Sequence, residues 1–150
     1  MFFTDLTEFS KNYIFGTTVA AWVIAQSIKV VLGVFREKRF NFRWFVGTGG
    51  MPSSHAAGVS ALATSIGVSH GFDSALFAVT LVFSLIVLFD AQGVRYLTGK
   101  QAEILNKMLD DIYWKRRLDD KELKEFLGHT PVEVFAGIAL GIFVSLLLYR

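Results

Sequence analysis

Hydrophobic residues fill four long stretches of the chain, and shorter polar segments separate them. The stretches cover about residues 13–35, 52–70, 74–90 and 131–149. Each approaches the roughly 20 mostly apolar residues that a helix needs to cross the hydrocarbon core of a bilayer. None shows the strict alternation of polar and apolar positions that is typical of a half-buried strand. The pattern predicts an all-α integral membrane bundle of four transmembrane helices, with a soluble all-α bundle as the competing interpretation.

Composition favours the membrane interpretation and excludes several other classes of protein. Hydrophobic residues make up 53% of the 150 residues, and the mean hydropathy is +0.47. The length predicts a single membrane domain over residues 1–150. Because the chain has no cysteine, it has no disulfide framework and no thiolate metal ligand. The net charge is +2, and basic residues are mixed with acidic ones, so we expect no nucleic-acid partner.

The distribution of Lys and Arg predicts how the helices are oriented. Basic residues are concentrated in the connections after the first and third hydrophobic stretches, whereas the turn over 70–73 has no Lys or Arg. Short connections rich in Lys and Arg remain in the cytoplasm. We therefore expect a multi-pass protein of the inner (plasma) membrane, with both basic connections in the cytoplasm and both termini outside. In the connection after the third hydrophobic stretch, apolar residues at helical spacing predict an interfacial helical linker over about 99–127.

Polar residues border the hydrophobic stretches on the side that we assign to the cytoplasm. Ionisable groups at membrane depth are energetically unfavourable, so they are functional candidates. The topology therefore predicts one shared site at this surface. The candidates are Lys29 and Arg36 in the first stretch, residues 47–58 before the second, Asp90 and Arg95 after the third, and His129 and Glu133 before the fourth.

The segment over 47–58, GTGGMPSSHAAG, has the features of an anion site at a helix N-terminus. Pro52 fits the first helical position, and its glycines allow close approach of the backbone to a ligand. Ser53 and Ser54 lie beside the N–H groups of the first turn. His55 can exchange a proton near neutral pH. An ordinary glycine loop followed by a helix cap is the alternative.

Charged residues near the ends of the first and third stretches allow two interpretations. Lys29 and Arg36 lie two helical turns apart on one face and could bind an anion, or Lys29 could extend to the headgroups and Arg36 belong to a plain interfacial cluster. Asp90 at a helix C-terminus opposes the helix dipole. It therefore needs a partner, which could be Arg95, Lys29 or a bound cation.

His129 and Glu133 lie four residues apart at the start of the fourth stretch. At that spacing the carboxylate could orient the imidazole, as it does for a histidine nucleophile or base. The same residues fit a capping box, in which Thr130 caps the helix and Glu133 reaches back to the cap. The capping box accounts for Glu133 but not for His129.

These motifs together resemble the three-part signature of the type 2 phosphatidic acid phosphatases and vanadium haloperoxidases. TGGMPSSH, DAQGVR and GHTPVEVFAG are most similar to a divergent bacterial and plant branch, the acid phosphatase/vanadium-haloperoxidase-related membrane proteins. The resemblance implies a membrane phosphatase that hydrolyses a lipid or polyprenyl phosphate without a metal or cofactor. It implies His129 as the nucleophile that forms a phosphohistidine, Glu133 as the group that orients it, and His55 as the general acid. The implied phosphate ligands are Lys29, Ser54, Arg95, Gly50 and Arg36, with Ser53 and Asp90 as further site candidates.

Three departures from the signature keep a non-catalytic alternative open. Arg36 is followed by Glu37 rather than proline, Ser54 replaces a glycine, and Arg95 lies far from His129 in the sequence. They favour a phosphate- or anion-binding membrane protein, such as a carrier component or a scaffold. A small channel is the weakest alternative, because no polar stripe runs through the hydrophobic stretches.

The predicted number of spans bears on whether two copies of the chain form a dimer. The superfamily usually has six spans, so a chain with four could pair as a homodimer. Two stripes of small residues on the second stretch would allow close helix packing in lipid, within one chain or between chains. They are Ala57, Ala61 and Ser65, and Ala56, Ser60 and Thr64.

Overall fold

Four helices form the main part of the computed structural model. The structure describes residues 12–38, 50–92, 99, 101, 103–109 and 130–149. Helix α1 spans Tyr13–Glu37, α2 spans Ser54–His70, α3 spans Ala75–Gln92 and α4 spans Pro131–Leu148. The described residues contain no strand, which confirms the all-α prediction.

Three of these helices are long and apolar enough to cross a membrane, where the sequence predicted four spans. They are α1, α3 and α4. Helix α2 has only 17 residues and is rich in Ala, Ser and Gly, because its neighbours cover most of its surface and it needs little hydrophobic surface of its own. Within the predicted stretch over about 52–70, the helix itself begins at Ser54, since Ser53 is the N-cap.

Local caps explain where the helices begin and end. Asn12 begins α1 by accepting a hydrogen bond from Phe15 N at 3.0 Å. Lys38 ends it in the left-handed conformation and donates its N–H to the carbonyl of Val34. Between α2 and α3, Gly71 adopts a φ of 90°, which favours glycine. This short turn makes α2 and α3 antiparallel neighbours.

Helix α2 lies at the centre and packs against α1, α3 and α4. It approaches α4 most closely. A Cβ added at Gly137 would lie 2.8 Å from the Cβ of Ala56 and would overlap the carbonyl oxygen of Ser53, and one added at Gly141 would lie 3.0 Å from Ala61 N. The predicted small-residue stripe on α2 therefore packs against glycines of the same chain, as helices in lipid commonly do. Pairing with a second copy stays a prediction.

Hydroxyl groups form hydrogen bonds between the helices at several levels of the bundle. The side chains of Ser65 and Ser145 share a hydrogen bond of 2.8 Å between α2 and α4. Tyr13 donates to the carbonyl of Ser145 at 3.2 Å, which joins α1 to α4. Ser84 donates to the carbonyl of Val59 at 3.1 Å, which joins α3 to α2. These bonds hold α2 and α4 parallel, with α1 antiparallel to both.

Part of the predicted interfacial linker is helical. Residues 103–109 form a helical segment, in which Lys107 and Glu103 form an ion pair of 2.8 Å. Ile104, Leu105 and Met108 are exposed in this segment, as expected for a surface that meets lipid or another element. The rest of the predicted linker, from residue 110 onward, lies outside the described residues.

Candidate functional site

Three parts of the sequence meet at one end of the bundle. The side chain of Lys29, near the end of α1, lies against Gly50, where an added Cβ would be 3.3 Å from its Cγ. The N–H of Ser53, at the start of α2, donates to the carbonyl of Glu133 in α4 at 3.0 Å. We call Lys29, Gly50, Ser53 and Glu133 the polar junction. Its contacts bring together elements that the topology predicted would share one face.

Lys29 is buried within the bundle rather than extended toward a headgroup layer. Its exposed fraction is 7%, and that of Gln26 is 4%. The Nζ of Lys29 donates to Oε1 of Gln26 at 3.2 Å. Removing an ammonium group from water is unfavourable unless polar groups or a counter-charge compensate it. The burial of Lys29 therefore argues against simple snorkelling.

Gly50 is the residue that lets the loop approach Lys29. Its φ is +97°, in the left-handed region that side chains disfavour. A Cβ there would also press on the aliphatic part of Lys29, with the Cδ at 3.5 Å. The backbone requirement and the contact both select glycine at this position.

The start of α2 differs in detail from the sequence prediction. Pro52 precedes the cap, joined to Met51 by a cis peptide bond, and so is not the first helical residue. The fully buried Ser53 is the N-cap, and its Oγ accepts from Ala56 N at 3.3 Å. A capping function accounts for the Ser53 hydroxyl. Ser54 is buried as the first residue of α2.

His55 follows in the first turn of α2 and faces away from α4. It lines a cavity of about 330 Å³ together with side chains of α1 and α3, including Trp22 and Phe83. The imidazole is half-buried, and its Nδ1 is buried. His55 is thus positioned between the polar junction and the apolar interior.

Glu133 forms the capping box that was one of its two interpretations. Its carboxylate accepts from Thr130 N at 3.1 Å, and Thr130 Oγ1 accepts from Glu133 N at 3.4 Å. These bonds explain why α4 begins at Pro131. They also fix the backbone of Thr130, the residue that follows His129.

The other predicted site residues lie at exposed positions or outside the described residues. Arg36 is exposed in the last turn of α1, and Asp90 is exposed near the end of α3. Arg95 and His129 lie outside the described residues. Within the described residues, no three His, Asp or Glu side chains form a group that could hold a metal ion.

Two helix starts and Lys29 contribute positive charge to the polar junction, and the carboxylate of Glu133 contributes negative charge at the start of α4. Helices α2 and α4 both begin there, and each helix N-terminus carries a partial positive charge. The buried Lys29 adds a full charge. N–H groups at a helix start together with an ammonium group suit a phosphate dianion.

Two structural features of this region were not predicted. The close crossing at Gly137 and Gly141 has a sequence signal, the pattern G-x-x-x-G within an apolar helix. The cavity beside His55 has no such signal, because its lining residues Trp22 and Gly58 lie in different helices and the sequence does not show which faces of two helices meet.

The fold and the polar junction define an all-α membrane protein with a buried basic residue against the segment that precedes α2. The chain belongs to the divergent PAP2 family, whose family model matches residues 10–144. This confirms the resemblance to a divergent branch of the phosphatidic acid phosphatase superfamily. The chain is 40% identical over 154 residues to "Uncharacterized membrane protein YuiD" of Bacillus subtilis (strain 168), and the alignment covers 94% of this chain and 96% of that relative. No solved structure matches the chain.

Proposed function

We propose that the protein is a membrane phosphatase that hydrolyses a lipid or polyprenyl phosphate at the cytoplasmic membrane surface. The observation that carries the proposal is the burial of Lys29 against Gly50, in the segment that leads into α2. A buried ammonium group beside a helix N-terminus is well suited to a phosphate group and poorly suited to packing alone. Family membership supports the same chemistry.

In the proposed reaction, the phosphoryl group passes through a histidine. Lys29 and the N–H groups of Ser54 and His55 hold the phosphate oxygens, with Arg95 as a further ligand. An imidazole nitrogen of His129 attacks phosphorus while the bond to the lipid oxygen breaks, and His55 donates a proton to that oxygen. Water then attacks the phosphohistidine, passes a proton to His55 and releases inorganic phosphate. Positioning and charge stabilisation supply most of the catalysis of such a transfer.

In this proposal Glu133 has a different role from the one that the family resemblance implies, which is to orient His129. Because its carboxylate is bound in the capping box, we assign it the positioning of the α4 start, and through it the segment that carries His129. Arg36 and Asp90 are exposed, and we propose them as peripheral charges of the same face.

The membrane placement belongs to the same proposal. A single domain over 1–150 would cross the plasma membrane with α2 as a fourth span, since 17 residues lie at the lower limit for crossing. The basic connections and the polar junction would face the cytoplasm, and both termini would lie outside. A homodimer would supply the additional helices of the superfamily's usual bundle.

The test is phosphate release from a panel of lipid and polyprenyl phosphates by the purified protein, with a chelator present. We expect turnover that falls at least about a hundredfold in His55→Ala, which is typical for removal of a general acid, and is abolished in His129→Ala. His70→Ala is the matched control, because this exposed histidine ends α2 at the opposite end. Absence of turnover by the wild-type protein over the whole panel would contradict the proposal.

A second function is favoured by the capping box. The carboxylate of Glu133 has a structural function at Thr130 N, which it would keep in a chain that binds phosphate without turnover, as a carrier component or scaffold. This alternative predicts lipid-phosphate binding that survives His129→Gln and is lost in Lys29→Met. Measurement of binding and turnover on the same preparations distinguishes the two functions.

A further inference from the structure

A buried amide lies one helical turn from Lys29. Gln26 is 4% exposed on α1, and its Oε1 accepts a hydrogen bond from the Nζ of Lys29 at 3.2 Å. Burial of an amide is unfavourable unless it is hydrogen-bonded, and a bond to an ammonium group is stronger than one between neutral groups. Gln26 was not among the predicted site residues, although it contacts one that was.

The bond holds Lys29 on the side of the bundle interior. Gln26 precedes Lys29 by three residues, so it lies about 4.5 Å nearer to the N-terminus of α1. A lysine in the C-terminal half of a membrane helix can otherwise extend its ammonium group toward the headgroups. Because the acceptor lies in the opposite direction, the hydrogen bond to Gln26 works against that extension.

The segment before α2 restrains the aliphatic part of Lys29 from a second direction. A Cβ added at Gly50 would lie 3.3 Å from its Cγ and 3.9 Å from its Cε. The flexible stem of a lysine loses rotamer freedom whenever the ammonium group is fixed. Gln26 at the ammonium group and Gly50 along the stem restrict these rotations in advance, which lowers the ordering cost of binding a ligand.

The chemical nature of the acceptor matters as much as its position. An amide oxygen accepts the hydrogen bond without adding negative charge. A carboxylate at the same place would form an ion pair with Lys29 and repel an anion. A glutamine therefore holds the ammonium group without opposing the binding of an anion.

We propose that Gln26 is a positioning residue that holds the ammonium group of Lys29 at the polar junction, in the orientation in which it meets a phosphate group. The inference rests on the proposed function for the phosphate, but the position of Lys29 that it requires is measurable without one. The competing interpretation is that the bond only satisfies two buried polar groups. In that case Gln26 would contribute to stability and not to binding.

Chemical labelling of Lys29 tests the positioning step. The full chain in phosphatidylcholine vesicles is treated with a water-soluble amine-acylating reagent, and mass spectrometry compares Lys29 with the exposed Lys107. We expect Gln26→Met to raise the labelling rate of Lys29 relative to Lys107 by about tenfold, because the ammonium group then extends to the surface. Gln26→Glu keeps an acceptor and should leave the ratio at the wild-type value. Gln26→Asn, whose shorter side chain withdraws the oxygen, replaces the methionine variant if that variant does not fold.

Binding measurements on the same variants test the purpose of the positioning. Affinity for a lipid monophosphate in the vesicles should fall about tenfold in Gln26→Met, and at least as much in Gln26→Glu, which places a negative charge beside the phosphate. A purely structural Gln26 would tolerate the glutamate. Thr17→Val is the matched control, since Thr17 is also buried on α1 and lies about 18 Å from Lys29 along the helix.

The two measurements separate this inference from the proposed function. Unchanged labelling of Lys29 in Gln26→Met, or wild-type affinity in Gln26→Met and Gln26→Glu, would overturn the inference even if the wild type hydrolyses lipid phosphates. Labelling that depends on Gln26 in a wild-type protein that neither binds nor hydrolyses them would support the positioning of Lys29 and contradict the proposed function.

Discussion

Glycines have opposite effects on the two sides of α2. Toward α4, Gly137 and Gly141 allow the helix backbones to approach so closely that no Cβ fits between them. Toward α1 and α3, Gly58 leaves a cavity, and Gly50 makes room for Lys29. The closed side fixes the arrangement of the helices, and the open side has the cavity and the buried Lys29 that the proposed function uses. Substitutions on the closed side should therefore reduce stability, and those on the open side should change binding.

The largest effect is expected from Gly137→Val on the closed side. Its Cβ would overlap the carbonyl of Ser53 and crowd Ala56, so the helices must separate and the bond from Ser53 N to Glu133 O is lost. Overpacking of this kind costs about 3 kcal/mol. Unfolding in detergent, followed by circular dichroism, measures it. Gly16→Val is the control, and an equal loss of stability in both variants would show that the close crossing is unimportant.

Lys29→Met tests the open side. The methionine keeps most of the side-chain length and removes the charge, and the loss of the bond from Lys29 to the buried Gln26 should reduce stability by about 1–3 kcal/mol. Binding of a lipid monophosphate should weaken by about ten- to a hundredfold, the range for losing a charged hydrogen bond. Vesicle-binding measurements provide the affinity, with the exposed Lys107→Met as control. Unchanged affinity in Lys29→Met would show that Lys29 does not bind the phosphate group.

Thr130→Ala tests whether the capping box supports the site. Loss of a side-chain cap costs about 1 kcal/mol of stability, and the start of α4 should become less well ordered. If Glu133 acts only through this cap, Thr130→Ala should reduce turnover as Glu133→Ala does. A much larger effect of Glu133→Ala than of Thr130→Ala would indicate instead that the carboxylate contacts His129 directly.

The smallest expected effect concerns the hydrogen bond between Ser65 and Ser145. Interhelical hydrogen bonds in membranes contribute about 0.6 kcal/mol on average. A double-mutant cycle with Ser65→Ala and Ser145→Ala should give a coupling energy of that size, with no change in lipid-phosphate binding. A change in binding would mean that the closed side is not only structural.

The order and approximate positions of the helices could be predicted from the sequence, because hydropathy determines which segments become helices in a bilayer. Alternation of the helices then required Lys29 and the segment over 47–58 to share one end. The length of α2 was less predictable, because Pro52, Ser53 and Ser54 are all suitable for a helix start. The choice among them depends on a hydrogen bond from Ser53 to Glu133, a residue remote in the sequence.

The site was only partly predictable for a related reason. The spacing of Thr130 and Glu133 fitted both a capping box and a catalytic pair, and only atomic contacts distinguish them. The cavity beside His55 depends on the relative rotation of α1, α2 and α3, which the hydrophobic pattern of one helix does not determine. The G-x-x-x-G pattern at Gly137 and Gly141, in contrast, was available in the sequence as a sign of close packing.

The central claim is that the polar junction binds a phosphate group in a position where His129 attacks its phosphorus atom. The most direct measurement is mass-spectrometric mapping of phosphohistidine after brief incubation of the protein with a lipid phosphate and an alkaline quench. We predict a phosphoryl group on His129 that is absent in Lys29→Met and retained in His70→Ala. Phosphate release by His129→Ala at the wild-type rate, with no phosphohistidine at residue 129 in the wild type, would contradict the account.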